Sequence, residues 1–234
     1  SAAPASLPGD AYDLVVVGGG SAAFAAALKT SELGGRAAIV NDGLPIGGTC
    51  VNVGCVPSKA TIRAAEAVHR AQRDAFDGVE TTGRVADFDA VLAQVRALVA
   101  DLRQAKYVDV VADDVAIDLV AGRARLAGHD AGLHTVEVAG GPTLRARSVL
   151  VATGARTFVP DVPGLADAGF LTNDTLWDLA AAPEHLVVLG GGYVAVEAAQ
   201  AFARLGVPVT LLQRSARVLP REDAALTEAL EGFL

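Results

Sequence analysis

Twice along this chain a short aliphatic run ends in a glycine cluster and continues as an Ala-rich stretch, and this repeated unit restricts the possible folds more than any other feature. The first copy is Tyr12–Val17 (YDLVVV), Gly18-Gly19-Gly20 and Ala22–Leu33, followed by the apolar run Arg36–Val40. The second is His185–Leu189, Gly190 to Gly192, Tyr193–Leu205 and Val207–Leu212. Their periodicities read as strand, glycine turn, helix, strand, which is the building block of a parallel sheet and hence of an α/β fold. In Gly18-x-Gly20-x-x-Ala23 the first glycine permits the tight turn and the second lets backbone approach a pyrophosphate. The small third residue lets helix pack on strand. Gly190-x-Gly192-x-x-Ala195 repeats the pattern. Each helix start then offers unpaired N–H groups and the positive end of its dipole to an anion, so two units imply two dinucleotide ligands.

The remaining chain fits around these units. Residues 56–74 and 87–106 carry helical periodicity, the second through the stripe Val91, Leu92, Val95, Leu98, Val99 and Leu102. Val115–Val120, Leu133–Ala139 and Thr143–Ala152 read as three strands forming an antiparallel excursion that returns to the main sheet. At the end of the first unit's second strand, where an acidic residue would bind a ribose hydroxyl, stands Asn41, which can also hydrogen-bond a ribose. A net charge of −8 with scattered Lys and Arg argues against nucleic acid as the main partner. Every apolar run is cut short of the roughly 18 residues a membrane span needs. Ser1–Asp10 is Ala/Pro-rich without the features of a secretory signal and reads as a linker or scar.

The sharpest motif is Gly47-Gly48-Thr49-Cys50-Val51-Asn52-Val53-Gly54-Cys55-Val56-Pro57-Ser58-Lys59. Two cysteines five positions apart, with Gly54 giving the chain freedom to turn, can close a small disulfide on the first turn of a helix. Pro57 suits that first turn, and a helix starting near Cys55 would favour a thiolate there. A structural disulfide is the alternative, and it suits a cytosolic chain poorly. A zinc site would need ligands for which no second pair exists. The four histidines, Trp177 and the few phenylalanines read as surface or packing residues.

Taken together, GGTCVNVGCVPSK at 47–59, the turn at 18–23, Ala152-Thr153-Gly154 and GGGYVAVE at 190–197 resemble the FAD- and pyridine-nucleotide-dependent disulfide reductases. That group includes glutathione reductase, dihydrolipoamide dehydrogenase and mercuric reductase. Val51, Val56 and AQAFARLG at 199–206 look most like mercuric reductase, while Tyr193 resembles the nicotinamide-gating tyrosine of the glutathione and lipoamide enzymes. The resemblance implies a doubly wound, Rossmann-like FAD-binding domain with an antiparallel β excursion over 11–157. The first part of a second, NAD(P)-binding Rossmann-like domain would follow over 158–234. It implies FAD and NADPH as cofactors, a cytoplasmic homodimer and Hg(II) as substrate, with a small dithiol substrate as the alternative.

By the same resemblance Cys50 and Cys55 are the redox pair and the metal-binding thiols, and Cys50 is the exchanging one. Lys59 lies near the flavin and pairs with Glu197 across the nicotinamide pocket. Gly48, Thr49, Thr153 and Gly154 hold the flavin phosphates, and Ala124 faces the adenine through its backbone. Gln213 stands where an acidic ribose ligand is expected in the second unit, and Arg214, Arg217 and Arg221 follow it; cations there suit the 2′-phosphate of NADPH, with Arg214 leading. Leu234 reads as falling inside a helix, so the nicotinamide domain's remainder and the dimerisation domain are expected to lie elsewhere. A non-catalytic nucleotide-binding module is the other function class, and the cysteine pair counts against it.

Overall fold

A computed structural model describes residues 9–73 and 76–234. The expected linker up to residue 8 and Asp74 of the expected helix 56–74 lie outside them. In chain order the first elements are β1 (Tyr12–Val17), α1 (Ser21–Glu32), β2 (Ala37–Asn41), α2 (Gly48–Asn52), α3 (Cys55–Ala71) and α4 (Phe88–Arg103). A π-helical segment Gln104–Val108, α5 (Asp109–Ala112), β3 (Ile117–Ala121), β4 (Ala124–Asp130), β5 (Leu133–Val138) and β6 (Thr143–Val151) follow. The rest comprises α6 (Leu165–Ala168), a short 3₁₀ turn at Leu176–Asp178, β7 (Leu186–Leu189), α7 (Tyr193–Arg204), β8 (Val209–Leu212) and α8 (Ala224–Glu231). These form two compact units, residues up to Gly54 with Val99–Val162, and Cys55–Leu98 with Pro163–Leu234.

The first unit is a six-stranded sheet in the order β3-β2-β1-β6-β5-β4. β3, β2, β1 and β6 run parallel, with Val15 facing Ala38 on one side and Val149 on the other. Strands covered on both faces need apolar side chains at consecutive positions. Val15, Val16, Ile39 and Val40 meet that need, all being at most 1% exposed, and burial of each such side chain contributes roughly 1.5–3 kcal/mol. On one face Ala23, Phe24 and Ala27 of α1 pack on Val16, Ile39, Val111 and Ile117. On the other, Val15, Ala38 and Val40 pack with Val136, Leu144 and Ala146.

Two expectations change here. The run expected at Val115–Val120 belongs to the parallel sheet beside β2 and is not part of the antiparallel excursion. The excursion is instead built from β4, β5 and β6. β4 escaped the sequence reading because it is an exposed edge strand without apolar alternation, broken by an irregularity between Leu126 and Gly128. In addition, the helix expected over 87–106 ends as an α-helix at Arg103 and continues with five-residue hydrogen-bond spacing to Val108.

The second unit pairs β7 with β8 in parallel, Leu186 opposite Val209. α7 buries Val196, Ala198, Ala199, Ala201 and Phe202, and the rings of Phe88 and Phe202 meet at 5.9 Å. Arg96 of α4 donates to the carbonyls of Trp177 (3.2 Å) and Leu179 (3.4 Å), fixing the 3₁₀ turn, and Trp177 is buried as a packing residue. Leu234 lies beyond α8, which ends at Glu231, and not within a helix as the sequence suggested. Among the described residues no helix is long and apolar enough to cross a membrane.

Candidate functional site

In the first unit the carboxyl ends of four parallel strands meet, which is where open α/β sheets bind ligands. The turn after β1 is pressed against the end of β6. Gly18 has φ +122°, and a Cβ there would stand 2.1 Å from the Ala152 carbonyl oxygen. Gly18 N–H donates to Val40 O and Ala152 N–H to Val17 O, both at 2.8 Å, so Thr153 and Gly154 leave the sheet directly beside this turn. α1 then starts with Gly20 as its N-cap and no side chain capping it. Its first N–H groups are thus available to an anion, and Ala23 packs its methyl into the buried helix–sheet face.

The cysteine motif is docked on the same turn. Gly47 N–H donates to Gly19 O at 2.8 Å, and a Cβ on Gly48 would lie 2.8 Å from Gly20 Cα. Thr49 and Cys50, both exposed, thus stand on α2 against the glycine turn. Asn52 holds that helix: its Nδ2 donates to Pro45 O, Ile46 O and Gly48 O at 2.9, 3.2 and 2.9 Å, while its Oδ1 accepts from Arg103 at 3.0 Å. Gly54, expected to supply conformational freedom, serves close approach instead, because a Cβ would meet Thr49 O at 2.9 Å.

Asn41 ends β2 with its Nδ2 donating to Leu44 O at 2.9 Å, and its Oδ1 occupies the space a Gly19 side chain would need. That leaves Oδ1 as an acceptor beside the turn. Gly122 N–H donates to Asn41 O at 2.9 Å, which brings the start of β4, Ala124, to the same edge. The unit therefore gathers Gly18, Gly20, Asn41, Gly48, Thr49, Thr153 and Gly154 around one uncapped helix start with Ala23 in its first turn, whereas Ala124, expected at the adenine, packs beside Val15, Ala38 and Val40 on the sheet face opposite α1. A close backbone cradle and unpaired helix N–H groups fit the pyrophosphate of a dinucleotide.

The second unit repeats this at smaller scale. Gly190 has φ +111°, Gly192 caps α7 without a side-chain partner, and Val196 N–H donates to Gly192 O at 3.0 Å. Ala195 lies in the first turn of α7. Gln213 lies on Gly191, its Cδ 2.9 Å from where a Cβ would be, as Asn41 does on Gly19. Its amide arranges the next loop by accepting from Arg214 N–H at 3.1 Å and donating to Arg217 O at 3.4 Å. The two arginines then differ. Arg217 donates to Pro220 O and Glu222 O at 3.4 and 3.2 Å, whereas the exposed Arg214 guanidinium has no partner among the described residues.

Within this unit the Lys59 ammonium on α3 donates to Glu197 on α7 at 2.5 Å, so the two charges that resemblance paired do meet. Tyr193, the first residue of α7, donates its hydroxyl to Glu222. That hydrogen bond, with burial and the carboxylate's charge adding, raises the phenol above its ordinary range. Cys55 opens α3 and, like Cys50, is exposed; the two are thiols here and not a disulfide. Among the described residues no three His, Cys, Asp or Glu side chains gather into a metal site.

Sequence reasoning missed five contributors. Ser21 and Tyr107 share a 2.9 Å hydroxyl contact at the start of α1, Tyr107 also standing edge-on to Phe24 with ring centres 5.0 Å apart. Only the π-helical segment brings Tyr107 there, and no periodicity announces it. Asn52 and Arg103 act through long-range bonds, and Glu222 by a loop return. Only Asn52, sitting inside the cysteine motif, carried a local signal.

Comparison with known proteins accords with this arrangement. Residues 12–234 match the family described as pyridine nucleotide-disulphide oxidoreductase. The mercuric reductase of Streptomyces lividans is 42% identical over 223 residues, covering 95% of this chain and 46% of the relative. That of Staphylococcus aureus is 40% identical, covering 95% of this chain and 40% of the relative. The HOCl-induced flavoprotein disulfide reductase RclA from Escherichia coli superposes with a TM-score of 0.81 at 30% identity, covering 95% of this chain and 46% of that one. The chain thus spans less than half the length of these relatives. With a matched region that takes in both glycine turns and the cysteine motif, the chain belongs to the pyridine nucleotide-disulphide oxidoreductase family.

Proposed function

We propose that this chain carries the flavin cradle and redox dithiol of an FAD-dependent, NADPH-linked reductase whose substrate is Hg(II). The observation that carries the reading is the docking of the cysteine motif on the first glycine turn. The Gly47–Gly19 and Gly48–Gly20 approaches tie Cys50 to the glycine turn that on this reading would hold a dinucleotide's phosphates. On this reading residues 11–157 serve the flavin and 158–234 begin the nicotinamide side. Bound FAD would supply two-electron chemistry between NADPH and the cysteine pair.

The chain's own residues account for binding and positioning. The Gly18–Gly20 turn, the first N–H groups of α1, Thr49, Thr153 and Gly154 hold the phosphates, and Asn41 Oδ1 accepts from a ribose hydroxyl. Within the second unit Glu197 accepts from the Lys59 ammonium and so orients its positive charge. Cys50 on α2 and Cys55 at the start of α3 would, once reduced and deprotonated, be two soft thiolates, and soft ligands suit a soft metal ion. The exposed Arg214 provides a cation for a 2′-phosphate. The net reaction balances as Hg(II) plus NADPH giving Hg(0), NADP+ and a proton. Identity near 40% to mercuric reductases supports Hg(II) over a dithiol substrate.

The test is NADPH oxidation by the FAD-loaded protein with Hg(II) in excess thiol, scored together with release of volatile mercury. Oxidation that depends on Hg(II) supports the assignment. Oxidation driven by lipoamide or glutathione disulfide but not by Hg(II) would transfer it to a dithiol/disulfide reductase.

A further inference from the structure

The β4–β5 hairpin reaches the end of the six-stranded sheet that is remote from the glycine turn. Its register sets His129 opposite His134, His134 beside Ala146 of β6, and Ala146 beside Tyr12, the first residue of β1. The two imidazoles thus stand in the row where β1 begins, whereas Gly18 follows its end. Their rings meet with centroids 4.6 Å apart and planes inclined at 56°. Among the described residues neither ring has a hydrogen-bond or ion-pair partner, and His129 is exposed. The backbone holds the pair in place. Ala131 at φ +49° and Gly132 at φ +77° form the two-residue turn, both in the left-handed region such a hairpin requires. Asp130 and Leu133 flank that turn, so the histidines are the next pair out, where facing side chains of an antiparallel ladder come closest. Leu133 is buried and anchors the tip. β4 is an edge strand whose pairing shifts between Leu126 and Gly128. On one side of that shift Arg125 pairs with Glu137 across the strands, and on the other stand the two histidines.

We propose that His129 and His134 form a two-point chelate for a divalent transition-metal ion of the class that prefers square, nitrogen-rich coordination, Ni(II) or Cu(II). Neutral imidazole is a common ligand for such ions. A metal–nitrogen bond of about 2.0–2.1 Å puts each ring centre about 3.2 Å from the ion, so rings at right angles have centres about 4.5 Å apart and rings at the tetrahedral angle about 5.2 Å. The observed 4.6 Å matches the right-angled arrangement. Ni(II) and Cu(II) favour that geometry, whereas Zn(II) is tetrahedral. Rotation about the side-chain bonds of the exposed His129 turns a ring nitrogen toward the gap, and water completes the coordination. The bound ion joins the edge strand to its neighbour beyond the irregular pairing. Cys50, docked on the glycine turn, stands at the other end of the sheet and takes no part. The chelate does not depend on what the glycine turns bind.

The experiment is titration calorimetry of Ni(II) chloride into the FAD-loaded protein carrying Cys50→Ser and Cys55→Ser, which removes thiolates that would also take the ion. In this parent His129→Ala and His134→Ala should each weaken Ni(II) binding about a hundredfold, because the second ligand of a chelate binds intramolecularly. His185→Ala should bind as the parent does, since that ring is engaged with Thr210 at 2.9 Å, away from the hairpin. Ni(II) at about a hundred times its dissociation constant should raise the parent's melting temperature about 5–10 °C and leave that of His129→Ala unmoved. Hydrogen exchange at the β4 and β5 amides should slow on adding Ni(II) to the parent. Failure of the parent to bind Ni(II), or an affinity that either hairpin substitution leaves unchanged, would overturn the proposal. So would saturating Ni(II) that leaves the parent's melting temperature where it was.

Discussion

Replacing Gly18 by alanine tests the cradle where it is tightest. A Cβ at this position would stand 2.1 Å from the carbonyl oxygen of Ala152 and 2.6 Å from its carbon, both backbone atoms at the end of β6, with φ at +122°. An L-residue at such a φ costs about 1–2 kcal/mol, and forcing atoms into a filled interior adds about 1–3 kcal/mol. The total of about 2–5 kcal/mol is a large part of the roughly 5–15 kcal/mol that keeps a domain folded. At roughly 2–4 °C per kcal/mol for a protein of this size, Gly18→Ala should melt about 4–20 °C lower. Gly34→Ala is the control: φ is +80° but nothing lies within 4 Å of the added carbon, so only the backbone cost of about 1–2 kcal/mol applies. Thermal unfolding followed by far-UV circular dichroism gives both values, and FAD retained after dialysis reads the cradle separately. The reasoning fails if the two variants melt within about 1 °C of each other, or if Gly18→Ala keeps its flavin as wild type does.

Other perturbations separate binding from folding. Arg214→Ala should weaken NADPH binding by roughly tenfold or more, the worth of a charge-assisted hydrogen bond, without changing NADH affinity or the melting temperature. Arg217→Ala should lower the melting temperature, since that side chain ties the loop to Pro220 and Glu222; equal nucleotide effects for both would remove the distinction. Glu197→Gln should leave unfolding within about 1 kcal/mol of wild type, the ordinary worth of an exposed ion pair, yet slow flavin reduction by NADPH in stopped flow. Tyr12 donates to Asp118 at 2.7 Å, and burial, then that carboxylate, raise its phenol above the ordinary value. A group raised in the folded state contributes fully below its unfolded value near pH 10 and loses that contribution as pH rises through the folded one. Chemical denaturation should therefore show stability falling above about pH 10, with a flatter alkaline limb in Tyr12→Phe; parallel limbs would contradict it.

What the sequence disclosed was whatever is written locally. Aliphatic run, glycine turn and small-residue helix recur within a few dozen residues, so β1–α1–β2 and β7–α7–β8 were legible with ends shifted by a residue or two. The site glycines and the cysteine motif were legible for the same reason, because phosphate approach fixes residue type and spacing together. Strand partnership is not written locally. Ile117–Ala121 has the same apolar character whether it pairs with β2 or with a hairpin, and only the closed sheet decides. Tyr107 reached Ser21 through a change of helical hydrogen-bond spacing, and Glu222 reached Tyr193 through a loop return; neither follows from periodicity. The meeting of Lys59 with Glu197, 138 residues apart, came from family resemblance and not from any pattern in the chain.

The central claim, that the Cys50/Cys55 pair works as a redox centre coupled to bound FAD, is tested most directly by anaerobic reductive titration of the oxidised, FAD-loaded protein. The account predicts uptake of one electron pair by the disulfide and a second by the flavin. A long-wavelength charge-transfer absorbance should appear after the first pair, be absent in Cys55→Ser, and be present without reduction in Cys50→Ser, where the Cys55 thiolate has no disulfide partner. Bleaching of the flavin by a single electron pair in wild type, identical to both serine variants, would contradict it.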